Sequence, residues 1–213
     1  MGHQAFKLVS SLGITVVTNP FDPSYLRYPA PKNLEADVLL VTNENSATNF
    51  TDMVTNSPQI FRSTTGLGSN RASGMLIRGV ATFQQRNVQL IVGLNTVYSW
   101  SMDGVRFCHL GNINYVLTPQ EALKLGEIDV LFLPVGAPQG LTNDDRDKLI
   151  AQLKPKVIVP MGYRTSYSSQ YAFGPLSSWP TGSLPVQRMA SNSFTISKAT
   201  LPEVPTVFIL DTP

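Results

Sequence analysis

Short apolar runs broken by glycine and proline fill the first third of the chain. Residues 5–10 and 14–18 are β-branched or apolar and flank Ser11-Leu12-Gly13, a pattern that predicts a hairpin. Residues 36–42 form a third apolar run. Between them, residues 19–33 carry Pro20, Pro23, Pro29 and Pro31, each of which removes a backbone donor and fixes φ, so this stretch is an ordered surface connection and not a helix. Residues 74–83 and 95–102 read as strands joined through a polar segment, 84–89, and a short apolar run, 90–92. Asp103-Gly104 then stands between two apolar alternating segments, the signature of a type I′ turn with positive φ at both positions.

The period changes in the second half. Thr118-Pro119-Gln120-Glu121 places Thr at an N-cap, Pro at the first helical position and Glu where it returns a hydrogen bond, predicting a helix to about Leu125. Thr142-Asn143-Asp144-Asp145 opens a second helix whose early acids oppose the positive helix end. Its Leu149, Ile150 and Leu153 form an apolar face before Pro155 stops it. An apolar strand follows each helix, at 129–135 and 156–161, and two more are expected near 194–197 and 206–210. Antiparallel strands first and a β–α–β alternation later predict an α/β protein with two facing sheets flanked by helices.

Composition narrows the chemistry. At 213 residues and 42% hydrophobic, the chain is long enough for one well-buried core and is read as a single domain over 1–213. Only 14% of residues are charged and the net charge is +2, so no field gathers nucleic acid and the surface is carried by Ser, Thr, Asn and Gln. Two histidines, His3 and His109, and one cysteine, Cys108, exclude an internal disulfide, a zinc ribbon and any three-imidazole cluster. The sequence has neither an apolar run of membrane-spanning length nor a basic leader, so a soluble, cytoplasmic protein without membrane contact is expected.

Seven segments appear in an order that carries a resemblance. Gly2-His3-Gln4-Ala5-Phe6, Asn19-Pro20-Phe21, the run from Ala36 through Val41-Thr42, Cys108-His109-Leu110-Gly111, Leu117-Thr118-Pro119, Leu133-Pro134-Val135-Gly136 and Lys154-Pro155 through Val159-Pro160-Met161 together resemble the metallo-β-lactamase superfamily. The branch they resemble is that of predicted metal-dependent hydrolases containing the ascorbate-6-phosphate lactonase. The resemblance covers nearly the whole chain and implies a four-layer αββα sandwich with a metal centre at one edge.

At that edge the chain departs from the implied pattern. Where the family has His-x-His-x-Asp-His after its strand, the matching positions are Asn43, Asn45, Ala47 and Thr48. The loop histidine aligns with Gln84, the bridging aspartate with Asn112, the last histidine with Gly162, and the usual aspartate before Pro-Phe with Asn19. Amides and hydroxyls are weak neutral donors, and Ala and Gly offer no side-chain donor. Without an ion no water is acidified, so hydrolysis by the family route is expected to be lost.

The resulting expectation is a pseudoenzyme with no metal and no cofactor, binding a small ligand or a protein partner through Asn43, Asn45, Ala47, Thr48, Gln84, Asn112 and Gly162. The alternative is a hydrolase of lactone or phosphoester type that uses altered ligands or a metal-free acid–base pair around His109 and Asp22. A third reading is a structural subunit whose low charge reflects buried interfaces, compatible with a homo-oligomer. His3 and Cys108 are expected in the core, and His109 is expected to be structural. The polar stretch 163–170, with Arg164, Tyr167 and Tyr171, reads as ordinary loop with the composition of a recognition surface.

Overall fold

A computed structural model describes residues 1–87, 90–182 and 184–213, without the side chains of 85–87 and 90–92. Its smaller sheet has the order β1 (Phe6–Val9), β2 (Thr15–Thr18), β3 (Val38–Leu40), β4 (Gln59–Phe61). The first two strands are the expected antiparallel hairpin, with Gly13 at φ 82° in the turn, and the next two pairings are parallel. Alternation sets the faces: Val38 and Leu40 point at the other sheet, whereas Leu39 points outward.

The larger sheet has eight strands. An antiparallel half consists of β5 (Gly68–Ala72), β6 (Met75–Asn87), β7 (Leu90–Met102) and β8 (Val105–His109). A parallel half continues through β9 (Val130–Pro134), β10 (Val157–Met161), β12 (Thr206–Ile209) and β11 (Val186–Arg188). The Asp103-Gly104 turn has φ 49° and 76°, as a type I′ hairpin requires. Helices α1 (Pro119–Leu125) and α2 (Asn143–Leu153) both start in complete capping boxes, at Thr118 with Glu121 and at Thr142 with Asp145.

Three apolar clusters define the layers. Leu125, Leu149, Ile150 and Leu153 from the helices pack on Val80, Val97, Cys108 and Leu131 of the large sheet. Between the sheets, Val16, Leu40 and Phe61 meet Ile77, Tyr98, Trp100 and Phe132. Outside the small sheet, Val17 and Leu39 are covered by Phe21, Leu26, Tyr28 and Met53. The fourth layer is therefore a loop with one 3-10 turn (Thr51–Met53) and not an α-helix, because the prolines of 20–31 forbid the regular backbone that the position would otherwise take.

Other expectations are corrected. The strands of the central hairpin are 13 residues each, longer than the apolar pattern indicates, since ladder pairing holds polar residues in line. The expected polar connection includes 88 and 89, which lie outside the described residues. No strand forms at 194–197; the edge strand is β11, whose exposed Val186–Arg188 carries little apolar signal. Strands β4 and β5 are also edges that the hydrophobic pattern does not reveal, β4 because it is only three residues long and β5 because it is polar. Cys108 and His109 point to opposite faces of β8 and both are buried, because β8 lies inside a sheet covered on both faces. No helix among the described residues is long and apolar enough to cross a membrane.

Candidate functional site

The C-terminal ends of β2, β3, β8 and β10 meet the turn before β1 and the start of β7 along one edge of the sandwich. A line of eight polar residues runs there, linked side chain to side chain except where the Asn112 backbone reaches Asn95: Thr48, Asn43, Thr42, Asn19, Gln4, Asn112, Asn95 and Thr82. Thr48 Oγ1 donates to Asn43 Oδ1 (2.7 Å), and Asn43 Nδ2 donates to Thr42 Oγ1 (2.9 Å). Asn19 Nδ2 donates to both Thr42 Oγ1 (2.9 Å) and Gln4 Oε1 (3.1 Å), while its Oδ1 accepts the Thr42 N–H (2.9 Å). Gln4 Nε2 donates to Asn112 Oδ1. The Asn112 N–H donates to Asn95 Oδ1 (2.8 Å), and Asn95 Nδ2 donates to Thr82 Oγ1 (2.7 Å) and to the Leu110 carbonyl (3.0 Å).

Two glycines permit this packing. Gly111 has φ 63°, and a Cβ there would stand 2.2 Å from Asn95 Oδ1 and 2.7 Å from Thr42 Oγ1. Gly162 has φ 68°, and a Cβ would stand 3.1 Å from Gln4 Nε2. The backbone conformation and the space both favour glycine. Asn19, at φ 42°, occupies the left-handed region that Asn tolerates better than most residues.

His109 sits beneath the line and is fully buried. Its Nδ1 accepts the Gly111 N–H (3.1 Å), which leaves the proton on Nε2 to be donated to the Gln4 carbonyl (3.0 Å). Burial lowers its pKa to about 4, so the ring is neutral and both nitrogens are occupied. The imidazole has no free lone pair with which to act as a base or a ligand.

Divalent metal ions of catalytic centres need imidazole, thiolate or carboxylate lone pairs that point at one place. Here the acceptor oxygens of Gln4, Asn19, Asn43, Asn95 and Asn112 all face protein donors, and the nearby carboxylate, Glu44, is held by Arg62 well below the ordinary carboxylate range. Among the described residues no group of three His, Cys, Asp or Glu side chains gathers at any point. The residues present do not fit a catalytic metal.

The β-lactamase superfamily domain matches this sequence over residues 1–162. The chain belongs to that family. A metal-dependent hydrolase of Thermococcus onnurineus is 27% identical over 194 residues, covering 78% of this chain and 83% of the relative. A metal-dependent hydrolase of Archaeoglobus fulgidus is likewise 27% identical, over 192 residues, 78% of this chain and 82% of the relative. The crystal structure of a candidate zinc-dependent hydrolase of the metallo-β-lactamase superfamily from Thermotoga maritima superposes with a TM-score of 0.77 at 28% identity, covering 98% of this chain and 95% of that one. The short form of human tRNase Z shares the fold alone, with a TM-score of 0.55 at 10% identity over 78% of this chain and 87% of its own.

The structure distributes the expected β-lactamase-family site residues unevenly. Asn43, Thr48 and Asn112 belong to the hydrogen-bonded line, and Gly162 abuts Gln4 within it. Asn45 is exposed, its Oδ1 closing a turn onto the Ala47 N–H (2.9 Å). Ala47 is buried in the apolar layer outside the small sheet. Gln84 lies opposite Gly93 on the long hairpin, two residues beyond Thr82 and outside the line. The proposed pairing of His109 with Asp22 does not form. Asp22 uses Oδ1 to accept from the Ser24 N–H (2.8 Å) and hydroxyl (2.7 Å), the bonds that lower its pKa, as a turn-closing aspartate does.

Gln4, Thr42, Asn95 and Thr82 were missed as members of the site. Asn95 alone gave a signal, an amide at the head of an otherwise β-rich run, where Asn is disfavoured. Tyr167 and Tyr171 serve packing: Tyr171 stacks on Tyr25 (4.7 Å between centroids) and donates to the Tyr25 carbonyl (2.7 Å), clasping the two long loops together.

Proposed function

We propose that this chain is a metallo-β-lactamase-fold pseudoenzyme that works without the superfamily's metal, as a non-hydrolytic binding protein for a small ligand or a protein partner. The positions that resemble family ligand positions are Asn43, Asn45, Ala47, Thr48, Gln84, Asn112 and Gly162. The observation that carries this reading is the closed line from Thr48 to Thr82, in which neutral amides and hydroxyls satisfy one another. A buried amide with its partners in place is stable without an ion, whereas a metal site stripped of its ion would leave carboxylates and imidazoles unpaired.

Elemental analysis after purification with added zinc, iron or manganese tests it. Less than stoichiometric metal, with no change in melting temperature on chelation, is expected; one ion per chain lost on Asn112→Ala overturns it. The second reading, a hydrolase, is favoured by the names of the 27% identical relatives. Turnover of a lactone or a phosphodiester that disappears in Asn112→Ala would establish that reading instead.

A further inference from the structure

A cavity of about 50 Å³ opens beside the polar line, at the C-terminal ends of β10 and β12, lined by His3, Tyr28, Gly162, Tyr163, Thr165 and Asn192 among others. Crevices beyond the carboxyl ends of parallel strands are where α/β sheets bind ligands. The wall residue that stands out is His3. Its ring is more than nine-tenths buried against Phe173 (4.9 Å between centroids), yet Nδ1 has no hydrogen-bond partner among the described residues, and none is found for Nε2. His109, the other buried imidazole, has both nitrogens satisfied. Leaving a buried polar atom unsatisfied is unfavourable enough that each instance calls for a reason, and a bound polar molecule is one such reason.

The rest of the wall is polar on one side, where the Asp211 carboxylate and the Met1 amine also reach the cavity. Thr165 Oγ1 donates to the Tyr28 hydroxyl (2.7 Å), so the Tyr28 proton is left to be donated elsewhere. Burial pushes the Tyr163 phenol up and the His3 imidazole down to about 4, so both are uncharged at neutral pH. Phe6, Pro160 and Leu210 add apolar surface to the lining. A neutral imidazole presents one N–H and one lone pair, so its complement must bring both an acceptor and a donor.

We infer that this cavity is a binding subsite for a small uncharged polar group, an amide or a hydroxyl compound of a few heavy atoms, with His3 as the contacting residue. This rests on the metal-free reading above and names the ligand class for it. The size of the cavity admits a few heavy atoms, and the Asp211 carboxylate, the charged side chain among its described lining residues, disfavours an anion.

The experiment uses full-length protein labelled with ¹⁵N at histidine and ¹³C at tyrosine, titrated with acetamide, and with acetate as its charged counterpart. Acetamide is expected to displace the His3 ring resonances saturably while those of His109 stay in place, with acetate about tenfold weaker. His3→Phe keeps the ring against Phe173 and is expected to abolish the response at Tyr163. Asn192→Leu, at the exposed rim, leaves His3 untouched and is expected to weaken acetamide severalfold, so it carries the test if His3→Phe fails to fold. No saturable response at His3, equal binding of acetate, or a Tyr163 response that survives both variants overturns the subsite. Metal found by elemental analysis would sink the metal-free reading alone, because the His3 titration reads the cavity directly.

Discussion

The two ends of the sandwich bury polar groups in opposite ways. At the site edge the line from Thr48 to Thr82 is neutral, and its groups satisfy one another. At the other end, Asp129 stands just before β9, almost fully buried, and accepts from Arg106 through Nε (2.8 Å), Nη2 (2.7 Å) and the backbone N–H (2.9 Å), and from Lys198 Nζ (2.9 Å). Burial by itself would raise the Asp129 pKa, but the bonds from Arg106 and Lys198 outweigh it and hold the carboxyl at about 2. The buried Asp129 carboxylate thus comes with two counter-charges, whereas the site edge, which has none, is built from uncharged groups. The absence of such a pairing at the site edge is what distinguishes a polar core from an ion site.

Acid should separate the two ends most strongly. His3 and His109 have folded pKa values near 4 against an ordinary value of 6.5, both chiefly because of burial. The unfolded chain binds protons at these rings first, so their contribution is complete above about pH 6.5 and is lost as pH falls from 6.5 toward 4. The upper bound is about 3 kcal/mol for each ring. Asp129 works in a lower window, its contribution being present above 3.8 and lost as pH falls toward 2. Urea unfolding across this range should show a decline that begins well above pH 4; a plateau down to pH 4 would mean that the histidines are not buried and neutral.

Asp129→Ala should come next, at about 2–3 kcal/mol, because the carboxylate is buried while Arg106 and Lys198 are one-third and about half exposed and recover water as a partner. A chemical-denaturation difference below about 1 kcal/mol would reduce the charged end to a surface ion pair. Gly111→Ala tests the neutral end. The added methyl meets Asn95 and Thr42 in a left-handed backbone, so a loss of roughly 2–3 kcal/mol is expected, together with exposure of the His109 ring to exchange. Thr142→Ala, remote from both ends, should lower stability by only about 1 kcal/mol, the value of one N-cap, with no change in the histidine resonances.

Much of the frame was legible before any coordinates. The Thr118 and Thr142 capping boxes, the Asp103-Gly104 turn and the β1–β2 hairpin depend on neighbours within a few residues, so local sequence specifies them. Edge strands β4, β5 and β11 were not legible, because an edge strand buries little and owes its form to the ladder of its neighbour.

At the site, sequence alone determined the residue types: the chain has two histidines, and Gln4, Asn19, Thr42, Asn43, Thr48 and Asn112 bring neutral amides and hydroxyls. What those amides do was decided only by tertiary structure. Gln4 and Asn112 are 108 positions apart, and Asn19 and Thr42 are 23 apart, so their bonds exist only because two sheets bring separate strand ends to one edge. The binding positions expected at Asn43, Asn45, Gln84 and Asn112 do not share one pocket, and Asn43 and Asn112 lie in a hydrogen-bonded seam. Asn45 and Gln84 lie outside it, and the remaining space lies beside Gly162, under His3. Residue type fixes what a group can bond to, whereas the fold fixes which partner is within reach, and for short side chains the nearest partner wins.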